Sequence, residues 1–158
     1  MQTSDPKKLI ELLQKKTLRI RTGIWLMSAS ALGKEADHAA RMNIDSVDIR
    51  EPLLENLPEG TRFLGLNADR VLQLLQDISD QLSGSECLLV YNIDLLLAKL
   101  SQNERVYIWR HLYDSFPNRR HALLISMPEN ASHLLPEITS IRSWNNDKRL
   151  SSTHPKEI

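Results

Sequence analysis

The stretch Gly23-Ile-Trp-Leu-Met-Ser-Ala-Ser-Ala-Leu-Gly-Lys-Glu35 decides how the rest of the chain is read. Ile24 to Met27 form a short apolar run that reads as a buried strand, followed by small residues, Gly33-Lys34 and an Ala-rich helical run over 33–41. Two more bare apolar runs follow: 87–91 inside Glu86-Cys-Leu-Leu-Val-Tyr-Asn-Ile-Asp94, and 122–127 inside His121-Ala-Leu-Leu-Ile-Ser-Met127. Ser46-Val-Asp-Ile-Arg50 alternates and reads as a shorter strand stopped by Pro52. Helical patterns separate these runs. Asp5-Pro6 opens the first, with Leu9, Ile10, Leu12 and Leu13 as its apolar stripe. Asn67 caps one over 68–82, which ends at Ser83-Gly84-Ser85; another starts at Asn103 or Glu104 and runs through Phe116, where Pro117-Asn118 breaks it. Pro58-Glu-Gly60 and Pro128-Glu-Asn130 read as turns, and 131–135 as a short helical piece. Apolar strands alternating with amphipathic helices make a parallel sheet covered on both faces.

In such a sheet ligands sit beyond the carboxyl ends of the strands. The residues there are Ser28, Ser30, Gly33 and Lys34 after the first strand, Asn92 and Asp94 after 87–91, and Ser126, Pro128 and Glu129 after 122–127. A working phosphate loop reads G-x-x-x-x-G-K-[S/T]: backbone N–H groups cradle phosphates, Lys meets the outer ones and a hydroxyl meets Mg²⁺. Ser28 stands at the first Gly and Glu35 at the hydroxyl. A Cβ at 28 widens the turn, and the Glu35 carboxylate repels triphosphate oxygens. The acid that should hold Mg²⁺ after four apolar residues is Tyr91, a poor ligand for a hard cation. Asp94, three residues on, is placed either to hold Mg²⁺ through water or to cap the next helix. The expectation is an α/β fold: three layers, a parallel sheet of about four to five strands with flanking helices, P-loop NTPase-like but degenerate. Ser28, Ser30, Gly33, Lys34, Glu35 and Asp94 are the candidate nucleotide-binding residues, with no catalytic residue assigned and ATP or ADP the cofactor left open.

The chain has 158 residues, 41% apolar and 25% charged, which suits one globular domain. It divides into an amphipathic N-terminal helix (1–18), the P-loop-like domain (19–143) and a polar tail (144–158) read as disordered. No apolar run approaches a membrane span, and the N-terminus is not a secretory signal, so the expected location is cytoplasmic. Cys87 is the single cysteine, which rules out an internal disulfide and reads as a buried thiol. Twenty basic and twenty acidic residues cancel, leaving no overall field for DNA or anionic membrane. Lys7-Lys8, Arg119-Arg120 and Lys148-Arg149 read as solvated faces. Lys15, Lys16, Arg19 and Arg21 form the cluster best suited to touch a nucleic-acid backbone. His38, His111, His121, His133 and His154 lack ligand spacing, so no metal site is expected. Trp25 and Trp109 fit core faces, while Trp144 reads as an exposed partner contact.

The order of Gly33-Lys34, then Leu57-Pro-Glu-Gly-Thr-Arg-Phe-Leu-Gly-Leu-Asn-Ala-Asp-Arg-Val-Leu-Gln-Leu-Leu75, Leu88-Leu-Val-Tyr-Asn-Ile-Asp-Leu-Leu96 and Ala122-Leu-Leu-Ile-Ser-Met-Pro128 resembles the small P-loop protein family (BrxF) of BREX phage-defence systems. The resemblance spans about residues 20–130, and AAA-type P-loop folds share most of it. It places the family's Gly-rich loop on Ser28 to Glu35, its first Walker B acid on Tyr91 and its second on Asp94. Only Gly33 and Lys34 carry over in the loop. The resemblance implies a cytoplasmic bacterial component working beside a larger ATPase and DNA-modifying or DNA-targeting subunits. The leading expectation is a catalytically degenerate subunit with an assembly or regulatory role. The alternatives are weak ATP binding or hydrolysis through Lys34 and Asp94, a DNA-binding accessory module using 15–21, and self-association through a partly exposed Leu9/Leu13 stripe.

Overall fold

The computed structural model describes residues 2–55, 65–81, 85–117 and 120–152. The elements are α1 (Pro6–Gln14), β1 (Thr22–Met27), a 3₁₀ turn (Ala29–Ala31), α2 (Glu35–Arg41), β2 (Asp45–Asp48), α3 (Arg50–Glu55), α4 (Ala68–Ser79), β3 (Cys87–Tyr91), α5 (Ile93–Leu97), α6 (Gln102–Asp114), β4 (Ala122–Pro128), α7 (Ile138–Asn146) and β5 (Leu150–Ser152). The five strands form one sheet in the order β2-β3-β4-β1-β5, and every pairing is parallel. This is the α/β three-layer architecture expected, P-loop-like in its arrangement.

Handedness explains which helix lies where. From β1 the chain crosses past β4 and β3 to reach β2 at the edge. The steps β2 to β3, β3 to β4 and β4 to β5 all travel the opposite way. Right-handed crossovers then put α2 on one face and α4, α6 and α7 on the other. The two cores match. Leu9, Ile10 and Leu13 of α1 and Ala39 of α2 pack with Trp25, Met27, Leu89 and Leu124. Ile24, Leu88, Val90, Leu123 and Ile125, alternate residues of the same strands, pack under α4, α6 and α7. The expected core residues Val71, Leu72, Leu74, Leu75, Ile78, Ile108, Trp109 and Leu112 are buried in that second cluster.

Local chemistry sets the helix starts. The Asp5 carboxylate accepts the Lys7 N–H at 2.9 Å, with Pro6 in the first turn of α1. Asn67 accepts the Arg70 N–H at 2.8 Å. Ser101 and Glu104 form a reciprocal capping box, so α6 begins just ahead of the expected Asn103. Gly23 lets α1 lie close on β1, since a Cβ there would stand 3.2 Å from the Leu9 side chain and 3.4 Å from the Arg149 carbonyl.

Several expectations are corrected. The region 144–158 is not a disordered tail over its described part. Trp144 belongs to α7 and is 1% exposed, and Leu150–Ser152 pair with Ile24, Trp25 and Leu26 as an edge strand. Lys148-Arg149 is not a solvated pair, because Arg149 is buried. Its guanidinium lies 4.4 Å from the Trp144 ring centroid and 4.8 Å from that of Tyr113. It also donates to Thr22 O at 2.8 Å, Thr22 Oγ1 at 2.6 Å, Tyr113 O at 3.0 Å and Leu112 O at 3.3 Å. Burial pushes Arg149 down to about 10. The Leu9/Leu13 stripe is covered by the sheet, at 1% and 0% exposure, so it offers no face for self-association. The strand read at 46–50 ends at Asp48, and α3 starts ahead of Pro52. The piece at 131–135 is a turn, closed by Leu134 N–H to Ala131 O at 2.9 Å. The turn at 58–60, Leu82, Ser83-Gly84, Asn118, Arg119, His154 and the end of the tail lie outside the described residues. Among the described residues no helix is long and apolar enough to cross a membrane.

Candidate functional site

β1 and β4 are neighbours whose onward connections leave across opposite faces, one through α2 and the other through α7. That switch point makes the carboxyl ends of these two strands the expected ligand crevice. The loop after β1 fills it. Ser28 is extended and leads into the 3₁₀ turn, whose Ala31 is fully buried. Ala31 N–H donates to Ser28 O at 3.0 Å, Leu32 N–H to Ala29 O at 3.4 Å, and Lys34 N–H to Ala31 O at 3.1 Å. Gly33 takes a left-handed φ of 84° and donates its N–H to the Glu35 Oε1 at 3.1 Å. Four successive amides are therefore engaged by the protein's own oxygens, whereas a phosphate cradle turns them outward.

The six candidate nucleotide-binding residues fall into distinct roles. Ser28 and Ser30 face each other, their hydroxyls 3.1 Å apart. Gly33 and Lys34 sit where the loop meets α2, and Lys34 is exposed, its ammonium without a hydrogen bond or ion pair among the described residues. Glu35 is 6% exposed and holds Gly33 in place. Asp94 lies in the first turn of α5, partly buried. Burial pushes its carboxyl up, the N–H groups of Asp94 and Leu95 pull it down, and the Glu35 charge adds to the rise. Asn92 is the cap residue of α5, and Asp94 is the acid of its first turn, beside the positive end of the helix.

Tyr91 and its surroundings complete the edge. Burial raises the Tyr91 phenol, and the charges of Asp48, Glu51 and Glu35 raise it further. Asp48 lies in register beside Tyr91 on the neighbouring strand. Arg50 grips Asp48 with Nε at 3.1 and 3.2 Å and a second guanidinium nitrogen at 2.7 Å. That hydrogen bond to Arg50 is the main reason the Asp48 carboxyl is lowered, and Asn92 adds a further one. The fork was not anticipated. Its only trace in the sequence is an acid and an arginine two residues apart at the end of a strand. Among the described residues no group of three His, Cys, Asp or Glu converges to hold a metal ion.

The basic cluster lies before β1, at the amino end of the strands, and does not join this site. Lys15 is exposed at the end of α1. Lys16 pairs with Glu86 at 3.5 Å. Arg19 is exposed and donates to Asp114 O at 3.2 Å. Arg21 is buried at 4% exposure and donates to Leu13 O at 2.9 Å, so it is withdrawn from any nucleic-acid surface. The described histidines are likewise dispersed. His38 is buried against Trp25 with ring centroids 5.9 Å apart, and His121 bridges Ser85 O and Gln81 O at 2.5 and 2.6 Å. Cys87 is buried, and burial pushes its thiol up to about 12, which makes it inert.

The fold is thus a three-layer α/β domain, P-loop-like in arrangement, whose loop after β1 bonds four successive amides to the protein's own oxygens. Comparison of the chain with protein-family models, with curated proteins and with solved structures finds no match in any of the three.

Proposed function

We propose that this chain is a catalytically degenerate P-loop-like subunit that serves as an assembly or regulatory partner in a bacterial phage-defence complex of the DNA modification or restriction kind. One observation supports the reading above all: Glu35 occupies the Gly33 amide while Tyr91 stands where a metal-holding acid belongs. A domain that keeps the sheet but spends its phosphate donors internally suits a structural role. The defence setting, the cytoplasmic location and the neighbouring larger ATPase rest on the resemblance to the small P-loop family of BREX systems. The test is co-purification with the products of neighbouring genes. A stable stoichiometric complex with a large ATPase or a DNA-modifying subunit is expected, and isolation of the chain alone from its native operon would contradict the reading.

The second reading is weak ATP or ADP binding. It is favoured by Lys34, exposed and unpaired among the described residues at the start of α2. It requires Glu35 to release Gly33. The DNA-binding reading keeps Lys15, Lys16 and Arg19 but loses Arg21, and flat anisotropy of a labelled duplex at low salt excludes it.

A further inference from the structure

Helices α6 and α7 lie on the same face, and each returns the chain from the carboxyl end of one strand to the amino end of the next. They therefore run alongside each other in one direction. Between them lies an open cleft of about 370 Å³. One wall is the α6 stripe from Gln102 to Asp114, and the other runs from Ser132 through Ser140 to Trp144. At about 1.5 Å of rise per residue, the α6 wall is about 18 Å long. The floor is rigid. Trp109 and Trp144 meet edge to face with centroids 6.4 Å apart, and the Trp109 indole N–H donates to Leu134 O at 2.9 Å.

The length decides what fits. The lining residues recur along the whole of α6, from Gln102 to Asp114, so the cleft is an elongated groove. At about 3.3 Å per residue an extended segment fills it with about five or six residues. The charges choose among such segments. Arg105 is occupied, donating to Leu97 O at 3.3 Å and Leu100 O at 2.5 Å. Arg110, about two-thirds of the way along the wall, is exposed, and its guanidinium has no hydrogen bond or ion pair among the described residues. The acids stand on either side of it. Glu137 is at the start of α7, and Asp114, which accepts the Ser115 hydroxyl at 2.5 Å, is at the far end. The free guanidinium thus lies between the two acids, with the exposed Ser132 and Ser140 hydroxyls beside the groove for main-chain groups.

We propose that this cleft receives an extended segment of a partner protein, which sets an acidic side chain against Arg110 and an apolar side chain over Val106 and the indole floor. The site uses other elements than the β1 loop, so it stands or falls independently of how 28–35 is read.

The test selects a displayed random heptapeptide library on the full-length chain, then measures the synthetic consensus peptide by fluorescence anisotropy. A consensus with an acidic residue next to an apolar one is expected. Arg110→Glu should weaken its binding at least tenfold. Ser140→Trp, which fills the groove, should abolish it, and Arg142→Glu, on α7 outside the cleft, should leave it unchanged. Amide NMR of the unmodified protein guards against misfolded variants: the peptide should shift Val106, Arg110 and Ser140. No consensus, a basic consensus, binding that survives both cleft variants, or shifts confined to other elements would each overturn the proposal.

Discussion

Replacing Glu35 tests the residue that closes the loop. Its carboxylate accepts the Gly33 N–H at 3.1 Å from a buried position. A hydrogen bond to a charged group contributes about 1.5–3 kcal/mol, and losing it leaves a backbone donor to find water. An opposing term comes from Asp94, whose carboxyl the Glu35 charge helps to raise. Relief of that repulsion returns a fraction of the loss. The net expectation for Glu35→Ala is a destabilisation of about 1–2 kcal/mol, or a fall in Tm of about 2–8 °C for a chain of this size. Glu35→Gln separates the two effects, because the amide oxygen still accepts the Gly33 N–H while the charge is gone. It should lose less than Glu35→Ala and bring Asp94 back towards its ordinary value. Urea unfolding and thermal melts at neutral pH measure both. If Glu35→Ala matches or exceeds the parent in stability, Glu35 does not hold the loop shut and the reasoning fails.

Arg149→Ala should cost about 2–4 kcal/mol in urea unfolding, since charged hydrogen bonds are worth about 1.5–3 kcal/mol each and the desolvation of the guanidinium offsets part of them; Arg149→Lys, which lacks the planar fork, should recover less than half. Leu13→Ala opens a cavity under α1 in a side chain with 0% exposure and should cost about 2–5 kcal/mol; a loss under 1 kcal/mol would mean that α1 does not seal the sheet. Asp94 is raised above its ordinary value of 3.8, so the folded state binds its proton more tightly than the unfolded state. The stabilisation from that proton is complete below 3.8 and is lost as pH rises through the elevated value. Asp94→Asn should therefore gain on the parent as pH rises from about 3.5 to 7, and a flat or opposite difference in urea unfolding would refute the burial of Asp94.

The interior strands were legible because each is a bare apolar run. β1, β3 and β4 lie between two layers of helices, so nearly all their residues are apolar, with Thr22 and Ser126 the buried exceptions. The helices α4 and α6 were legible through Asn67, through Glu104 and through their apolar spacing. β5 was not, because a three-residue edge strand carries one large apolar residue, Leu150, and takes its stability from pairing with β1 and from Arg149. Arg149 reads as a surface residue by type and is buried by its bonds to carbonyls and rings. Trp144 was misread because the polar residues beside it, Ser143, Asn145 and Asn146, hide the helix that buries it. At the site, the positions of Gly33, Lys34, Glu35 and Tyr91 were legible from spacing. The inward turn of the amides and the Asp48–Arg50 fork were not, because both arise from contacts between neighbours that only the folded chain defines.

We propose that this P-loop-like sheet carries a loop at 28–35 closed to phosphate. Isothermal titration of the full-length chain with ATP and Mg²⁺, at high protein concentration and neutral pH, tests it most directly. No saturable heat is expected, with Lys34→Ala indistinguishable from the parent. Saturable one-to-one binding that Lys34→Ala abolishes would contradict it.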